Sequence, residues 1–295
     1  MKIPLEFGKI TINGAKMNDK LVSIIKLLGK PYYENEYGAI FNIDCLQAFA
    51  QMPDDIIDQT FTSPPYNIGK SYEKIMKVED YVSWCSHWLN ALYNKTTDNG
   101  SLWLNIGYFS VEGKGRAVPI AYYLWDKSPF YLQQEIVWNY GAGVAAKKYL
   151  SPRNEKILWF VKNKDIYTFN LDEIRDKDIK YPNQKKHGKL RCNSIGKNPS
   201  DVWQIAKVTS GENRSSSERV NHPAQTPIDL LDRILLAGSN AGELVLDPFM
   251  GSGSTFVSSI KHKRFFIGFE INKDYCNLAA NRVEHFLHTQ IPVLF

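Results

Sequence analysis

Residues 244–261, LVLDPFMGSGSTFVSSIK, place an apolar strand-length run directly before an acid, then a glycine-rich turn, then a segment with helical spacing. Such strand-to-helix units recur along the chain. AIFNID (39–44) reads as a short strand ending in an acid, CLQAFAQM as a helix and DQTFT as the next strand. VEDYVSWCSHWLNALYNK puts Tyr81, Trp84, Trp88 and Leu92 on one helical face, and Asn99-Gly100 is read as a turn into the strand SLWLNI. A helix is expected around Ala117 to Trp125, followed by the β-rich runs QQEIVWNY and KILWFVK. TPIDLLDRILLAG reads as a helix with Pro227 near its first turn, RFFIGFEI as a strand and KDYCNLAANRVEHFLH as a final amphipathic helix. Ahead of all these, Leu21, Ile24, Ile25 and Leu28 form a helical apolar face capped by Asn18 or Asp19. The alternation predicts an open, mostly parallel α/β sheet.

Between about Asp165 and His222 the periodicity fades and polar residues dominate, so a distinct lobe or long loops are expected there. Its centre, KYPNQKKHGKLRCNSIGKNPS (180–200), holds Lys180, Lys185, Lys186, Lys189, Arg191 and Lys197 and no acid. The net charge of +5 is compatible with a nucleic-acid partner without demanding one. No run of about 18 apolar residues is present, so no membrane partner is expected. The four cysteines, Cys45, Cys85, Cys192 and Cys276, are scattered without metal-ligand spacing. With an N-terminus lacking the apolar core of a signal peptide, they read as reduced thiols of a cytoplasmic protein.

Two stretches carry chemistry. In FTSPPYNIGK (61–70) a buried-looking strand breaks into consecutive prolines, which lack N–H donors and fix φ. A rigid connector would explain the break; so would an active-site floor whose carbonyls must be held still. In the glycine-rich turn, Asp247 sits at a strand's carboxyl end, where it could bind an ammonium group, and Gly251 and Gly253 precede the helix. Glu270 ends the strand RFFIGFE, where an acid is expected to take ribose hydroxyls. The turn lacks the Gly-Lys-Ser/Thr of a P-loop and departs from the GxGxxG pattern. A ligand with ribose and amino-acid character but no phosphate fits it, and S-adenosylmethionine (AdoMet) is one.

TSPPYN, DPFMGSGST and GFEI, in that order, resemble the bacterial amino-methylating DNA methyltransferases of the β subclass, in which the catalytic motif precedes the cofactor motif. The resemblance covers about residues 39–164 and 221–285. It implies a Rossmann-like, AdoMet-dependent methyltransferase fold. That fold has a mostly parallel seven-stranded sheet with helices on both faces and a small irregular target-recognition lobe. It divides the chain into an N-terminal arm (1–38), a catalytic half (39–164), a target-recognition region (165–220) and an AdoMet-binding half (221–295). Around the cofactor it implies Asp247, Phe249, Met250, Gly251, Ser252 and Gly253 at the methionine part and Glu270 on the ribose. Asp44 would lie near the adenine, while His222, Gln225 and Thr226 would close over the methionine end. Asp44 and Thr226 read equally as helix caps, and His222 as a solvated loop residue.

For the reaction, the resemblance points to Ser63, Pro64, Pro65 and Tyr66. An exocyclic amine is a poor nucleophile because its lone pair is delocalised into the ring. Accepting its hydrogen bonds at the Ser63 hydroxyl and a proline-locked Pro64 carbonyl favours a more tetrahedral nitrogen. The target must leave the duplex, and Tyr66 offers a stacking face. Serine at this position is typical of the family's cytosine-N4 enzymes and aspartate of its adenine-N6 enzymes, so cytosine N4 is favoured over adenine N6. A catalytically silent DNA-binding subunit and an RNA methylase are the weaker alternatives. No cysteine has the neighbourhood of a carbon-5 nucleophile. The lysine-rich island falls at the family's target-recognition position, where Lys185, Lys186, Lys189, Arg191 and Lys197 would meet phosphates or water. Lys70 has the same two readings, as do Arg214, just before the expected joint SSSERVNHP (215–223), and Arg219 within it. The implied partners are double-stranded DNA and a cognate restriction endonuclease, for a monomer or homodimer.

Overall fold

The computed structural model describes residues 18–141, 145–208 and 218–289. Residues 1–17 of the expected N-terminal arm, Arg214 and residues 215–217 of the expected joint lie outside them. Chain order begins α1 (Asp19–Leu28), β1 (Tyr33–Asn35), β2 (Gly38–Phe41), α2 (Cys45–Gln51), β3 (Ile57–Thr62), α3 (Val78–Lys95) and β4 (Thr96–Ile106). A hairpin of β5 (Tyr108–Val111) and β6 (Gly115–Pro119) and a short α4 (Ala121–Leu124) lead to β7 (Tyr131–Asn139) and β8 (Asn154–Val161). A 3-10 turn at Leu171–Ile174 precedes β9 (Lys185–Lys186), β10 (Lys189–Leu190) and β11 (Val202–Gln204). The last part supplies α5 (Ile228–Gly238), β12 (Leu244–Asp247), α6 (Ser254–Lys261), β13 (Phe265–Phe269) and α7 (Lys273–Thr289).

Nine strands form one sheet in the order β1-β2-β13-β12-β3-β4-β8-β7-β11. Its middle is the expected seven-stranded core, from β2 to β7, with β1 and β11 added at the edges. The run β2-β13-β12-β3-β4 is parallel throughout, and β8 is antiparallel to both of its neighbours. The winding of the sheet reverses between the parallel neighbours β12 and β3: β12 continues to β13 on one side and β3 to β4 on the other. This is the topological switch point, where open α/β sheets leave a crevice at the carboxyl ends of the strands.

The period-2 alternation of the strands sorts their side chains onto two helical layers. Along β4, Leu102, Leu104 and Ile106 join Leu21, Phe49, Trp88 and Leu124 on the α1–α4 face. Trp103 points the other way, into Trp159, Trp203 and the α5 residues Leu230 and Ile234. Along β13, Phe265, Ile267 and Phe269 face the first layer, and Phe266 packs with Phe256 of α6 and Cys276 of α7. A large apolar side chain so buried contributes roughly 1.5–3 kcal/mol, which is why the parallel strands read as continuous apolar runs.

Two expectations change. The helix expected around Ala117 to Trp125 shrinks to Ala121–Leu124, because residues 108–119 pair as the β5–β6 hairpin around a turn at residues 112–114. Strand β4 starts at Thr96 and runs through Asn99-Gly100, which is therefore not a turn. In the polar stretch, β11 returns to the main sheet beside β7 and buries Trp203.

Candidate active site

The strand directions bring the functional side chains to one edge. At their carboxyl ends, β3 stops at Thr62, β12 at Asp247 and β13 at Phe269, just before Glu270. Because β8 runs antiparallel, its first residues, Asn154 and Glu155, lie at that same edge. The crevice there is a cavity of about 770 Å³. Its wall includes Ser63, Pro64, Pro65 and Tyr66 from one motif and Asp247, Phe249, Met250, Gly251, Ser252 and Glu270 from the other. Asp44, Lys70, His222, Gln225 and Thr226 also line it. Gly253 follows as the cap of α6.

Asp247 ties the two motifs together. The Thr62 hydroxyl donates to its Oδ1 at 3.0 Å, the Thr255 hydroxyl to its Oδ2 at 2.6 Å and the Phe249 N–H to Oδ1 at 3.2 Å. Burial pushes this carboxyl up to about 6 despite those three donors. Glu270 accepts from the N–H groups of Gly251 (3.1 Å) and Asn272 (2.8 Å), and burial raises its proton affinity as well. Two buried acids at neighbouring strand ends make a site that a cation would relieve.

At Gly251, φ is +50° and an added Cβ would lie 2.8 Å from His222 Nε2, so only glycine brings the turn this close to the segment above it. His222 is sandwiched by Tyr72 (stacked, 6.2 Å between centroids) and Tyr275 (edge-on, 4.5 Å). Burial lowers its pKa to about 4, and its Nδ1 accepts from the Ala224 N–H, so the ring is neutral at pH 7. Gln225 spans its own loop, donating to the Glu218 carbonyl and accepting from the Val220 N–H. Asp44 caps α2 by accepting from Leu46 and Gln47 N–H while also facing the cavity, so its two readings coexist. Phe249 packs edge-on against Trp84 and Trp88 of α3.

Opposite this half, the Ser63 hydroxyl lies 2.8 Å from the Tyr66 hydroxyl, which lies 3.0 Å from Glu155 Oε2. Asn105 Nδ2 donates to both the Tyr66 oxygen (3.0 Å) and the Glu155 carboxylate (2.8 Å). The Tyr81 hydroxyl holds the Pro65 carbonyl at 2.8 Å. Sequence reasoning missed Glu155, Asn105, Thr62 and Thr255. The only signal for Glu155 was an acid at the entrance of the apolar run KILWFVK. Lys185, Lys186, Lys189, Arg191 and Lys197 are exposed and do not line the cavity; the first three belong to the β9–β10 hairpin. Cys45 does line it, but burial pushes its thiol up to about 12, which leaves no thiolate for carbon-5 chemistry.

Residues 57–281 match the N6/N4 methyltransferase family, described as DNA methylase. The chain is a DNA methylase of that family. It is 52% identical over 271 residues to the type II methyltransferase M.ScaI of Streptomyces caespitosus, covering 92% of this chain and 89% of that protein. With the type II methyltransferase M.BglII of Bacillus subtilis it shares 33% over 248 residues, covering 81% and 67%. The fold of this methylase is that of a solved structure named PvuII DNA methyltransferase (cytosine-N4-specific), with a TM-score of 0.69 over 88% of this chain and 93% of that one, at 19% identity. AdoMet is the methyl donor, and the cavity suits it. The Gly251 turn leaves the backbone bare, Asp247 and Glu270 offer anions for an ammonium and a diol, and Phe249 and Met250 supply an apolar wall.

Proposed function

We propose that this methylase transfers a methyl group from AdoMet to the exocyclic N4 amine of a cytosine flipped out of duplex DNA. The observation that carries the reading is the neutral Ser63 hydroxyl at the end of β3, in one cavity with Asp247 and Glu270. AdoMet supplies an electrophilic methyl group when bound. The chain's own residues do the rest. Ser63 Oγ and the Pro64 carbonyl accept the two N–H bonds of the amine, and the adjoining prolines keep that carbonyl from turning away. The Tyr66 ring stacks on the flipped base, worth about 1–3 kcal/mol. Asp247 and the turn from Phe249 to Gly253 hold the methionine part, Glu270 the ribose, and His222, Gln225 and Thr226 close over them.

Residues 165–220 serve as the target-recognition region, with Lys185, Lys186, Lys189, Arg191 and Lys197 on phosphates and Lys70 nearer the site. Serine where the family's adenine enzymes carry aspartate supports cytosine as the base. The named type II relatives support a restriction-modification role; a cytoplasmic location and a cognate endonuclease are part of the same proposal. The test is incubation with labelled AdoMet and mixed-sequence DNA, followed by nucleoside analysis. Labelled N4-methylcytosine is expected; labelled N6-methyladenine overturns the choice of base, and salt-dependent DNA binding without transfer overturns the catalytic reading.

A further inference from the structure

Methyl transfer to an amine leaves one proton to dispose of. The N–C bond forms, the C–S bond breaks with its electron pair going to sulfur, and the methylated nitrogen carries one hydrogen too many. Ser63 cannot keep that proton, because a protonated alcohol is a strong acid. We propose that Ser63, Tyr66 and Glu155 form a hydroxyl relay that carries the amine proton to the Glu155 carboxylate, with Asn105 as the residue that positions it. The inference rests on Ser63 as the acceptor of the amine, and it holds for either base.

The polarity of the chain follows from counting hydrogens. Glu155 Oε2 and the amide of Asn105 bracket the Tyr66 hydroxyl, at 3.0 Å each. The phenol has a single hydrogen, an ionised carboxylate can only accept, and Asn105 Nδ2 already donates to both. The Asn105 backbone carbonyl, at 3.2 Å, also only accepts, but the carboxylate is nearer at 3.0 Å and charged, so the phenol donates to Glu155 and its remaining lone pair takes the Ser63 hydrogen at 2.8 Å. Ser63 is left with its lone pairs turned outward, as an acceptor. The carboxylate thus sets the direction of a hydroxyl it does not touch. When the amine proton reaches Ser63, the serine hydrogen moves to Tyr66 and the phenol hydrogen to Glu155. No free alkoxide or phenolate forms, and the product is a neutral carboxylic acid.

The surroundings of Glu155 suit that task. Tyr66 touches it, and Tyr72, Tyr140, Lys70 and Lys207, the lysines from the loops after β3 and β11, lie close enough for their charges to couple with it. Burial raises its proton affinity, the hydrogen bonds from Asn105 and Tyr66 lower it, and so do the two lysines. The carboxyl can then lose its proton to water through the cavity between turnovers.

The experiment is the pH dependence of single-turnover methylation at saturating AdoMet and DNA, for the wild type and Glu155→Gln. The wild type should lose rate as pH falls and Glu155 protonates. Glu155→Gln should be slower by about 10²-fold, should lack that acid limb, and should bind AdoMet and DNA within about twofold of the wild type. Tyr66→Phe should match it, with no further loss in the double variant. Infrared difference spectra of the wild type should gain a carboxylic-acid band at the pH of the kinetic limb, absent from Glu155→Gln. If Glu155→Gln keeps the wild-type limb, or the two losses multiply, Glu155 merely braces Tyr66 and the relay is wrong. If Glu155→Gln fails to fold, Glu155→Asp and Tyr66→Phe carry the same comparison. Unchanged turnover in Ser63→Ala would instead remove the acceptor reading on which the relay stands.

Discussion

The crevice floor and the basic hairpin of this methylase treat their polar side chains in opposite ways. Around Asp247, nearly every polar group is buried and spoken for: Thr62, Thr255 and the Phe249 N–H all converge on one carboxylate. From Tyr181 to Leu190 every residue is exposed, and the lysines there face solvent. The first arrangement is built by folding and is complete before any ligand arrives, as electrostatic preorganisation requires. The second leaves its charges hydrated and mobile, so that their energy is released on contact with a polyanion. On the proposed function, chemistry is held by the interior of the sheet and contact with DNA is delegated to its surface.

Asp247→Ala should have the largest effect. It strands three buried donors, so a loss on the order of 3 kcal/mol in denaturant unfolding is expected, together with loss of measurable AdoMet binding by calorimetry. Stability within about 0.5 kcal/mol of the wild type, a value typical of surface changes, would erase the contrast between the two regions.

Gly107→Ala is next. A Cβ there would lie 3.0 Å from Tyr66 Cε2, so the ring must shift and the Ser63 contact with it. Turnover should fall about tenfold with AdoMet affinity unchanged, as read from single-turnover rates and calorimetry.

Lys185→Ala combined with Lys186→Ala should act on binding alone. Each lost phosphate contact should reduce the slope of log affinity against log salt by about 0.9, with unfolding unchanged within about 0.5 kcal/mol.

The remaining effect is one of pH, and over its full window it is of the same order as that of Asp247→Ala. The Asp247 carboxyl is raised from 3.8 to about 6 by burial, and such a group stabilises the fold below its unfolded pKa. That contribution is lost as pH rises through about 6. Without AdoMet, the wild type should lose stability relative to Asp247→Asn between about pH 4 and 6 and hold level above. The lysine double variant should follow the wild type across the whole range.

How much of this could be read beforehand depends on how local each feature is. The 18 residues of α3, Val78–Lys95, coincide with the segment marked by Tyr81, Trp88 and Leu92, because helical periodicity is written within one segment. The turn from Asp247 to Gly253 was legible for the same reason. The site's other half was not. Glu155 reaches Tyr66 from 89 residues away, through the antiparallel register that pairs Asn105 with Ile157. No spacing encodes such a register. Thr62 reads as the last residue of a strand, and its hydroxyl acquires a purpose only when β12 arrives beside β3. The helix expected around Ala117 to Trp125 loses its first residues to β6, because the apolar residues there fit a helical face while the pairing that overrides them is set by the turn before it.

The claim at the centre is that Ser63 is an acceptor for the amine and takes no part in holding AdoMet. Single-turnover methylation and AdoMet calorimetry on Ser63→Ala, run side by side, test it most directly. Turnover about 10²-fold below the wild type, with AdoMet affinity within about twofold, is the expected result. Unchanged turnover, or a loss accounted for by weaker AdoMet binding, would contradict it.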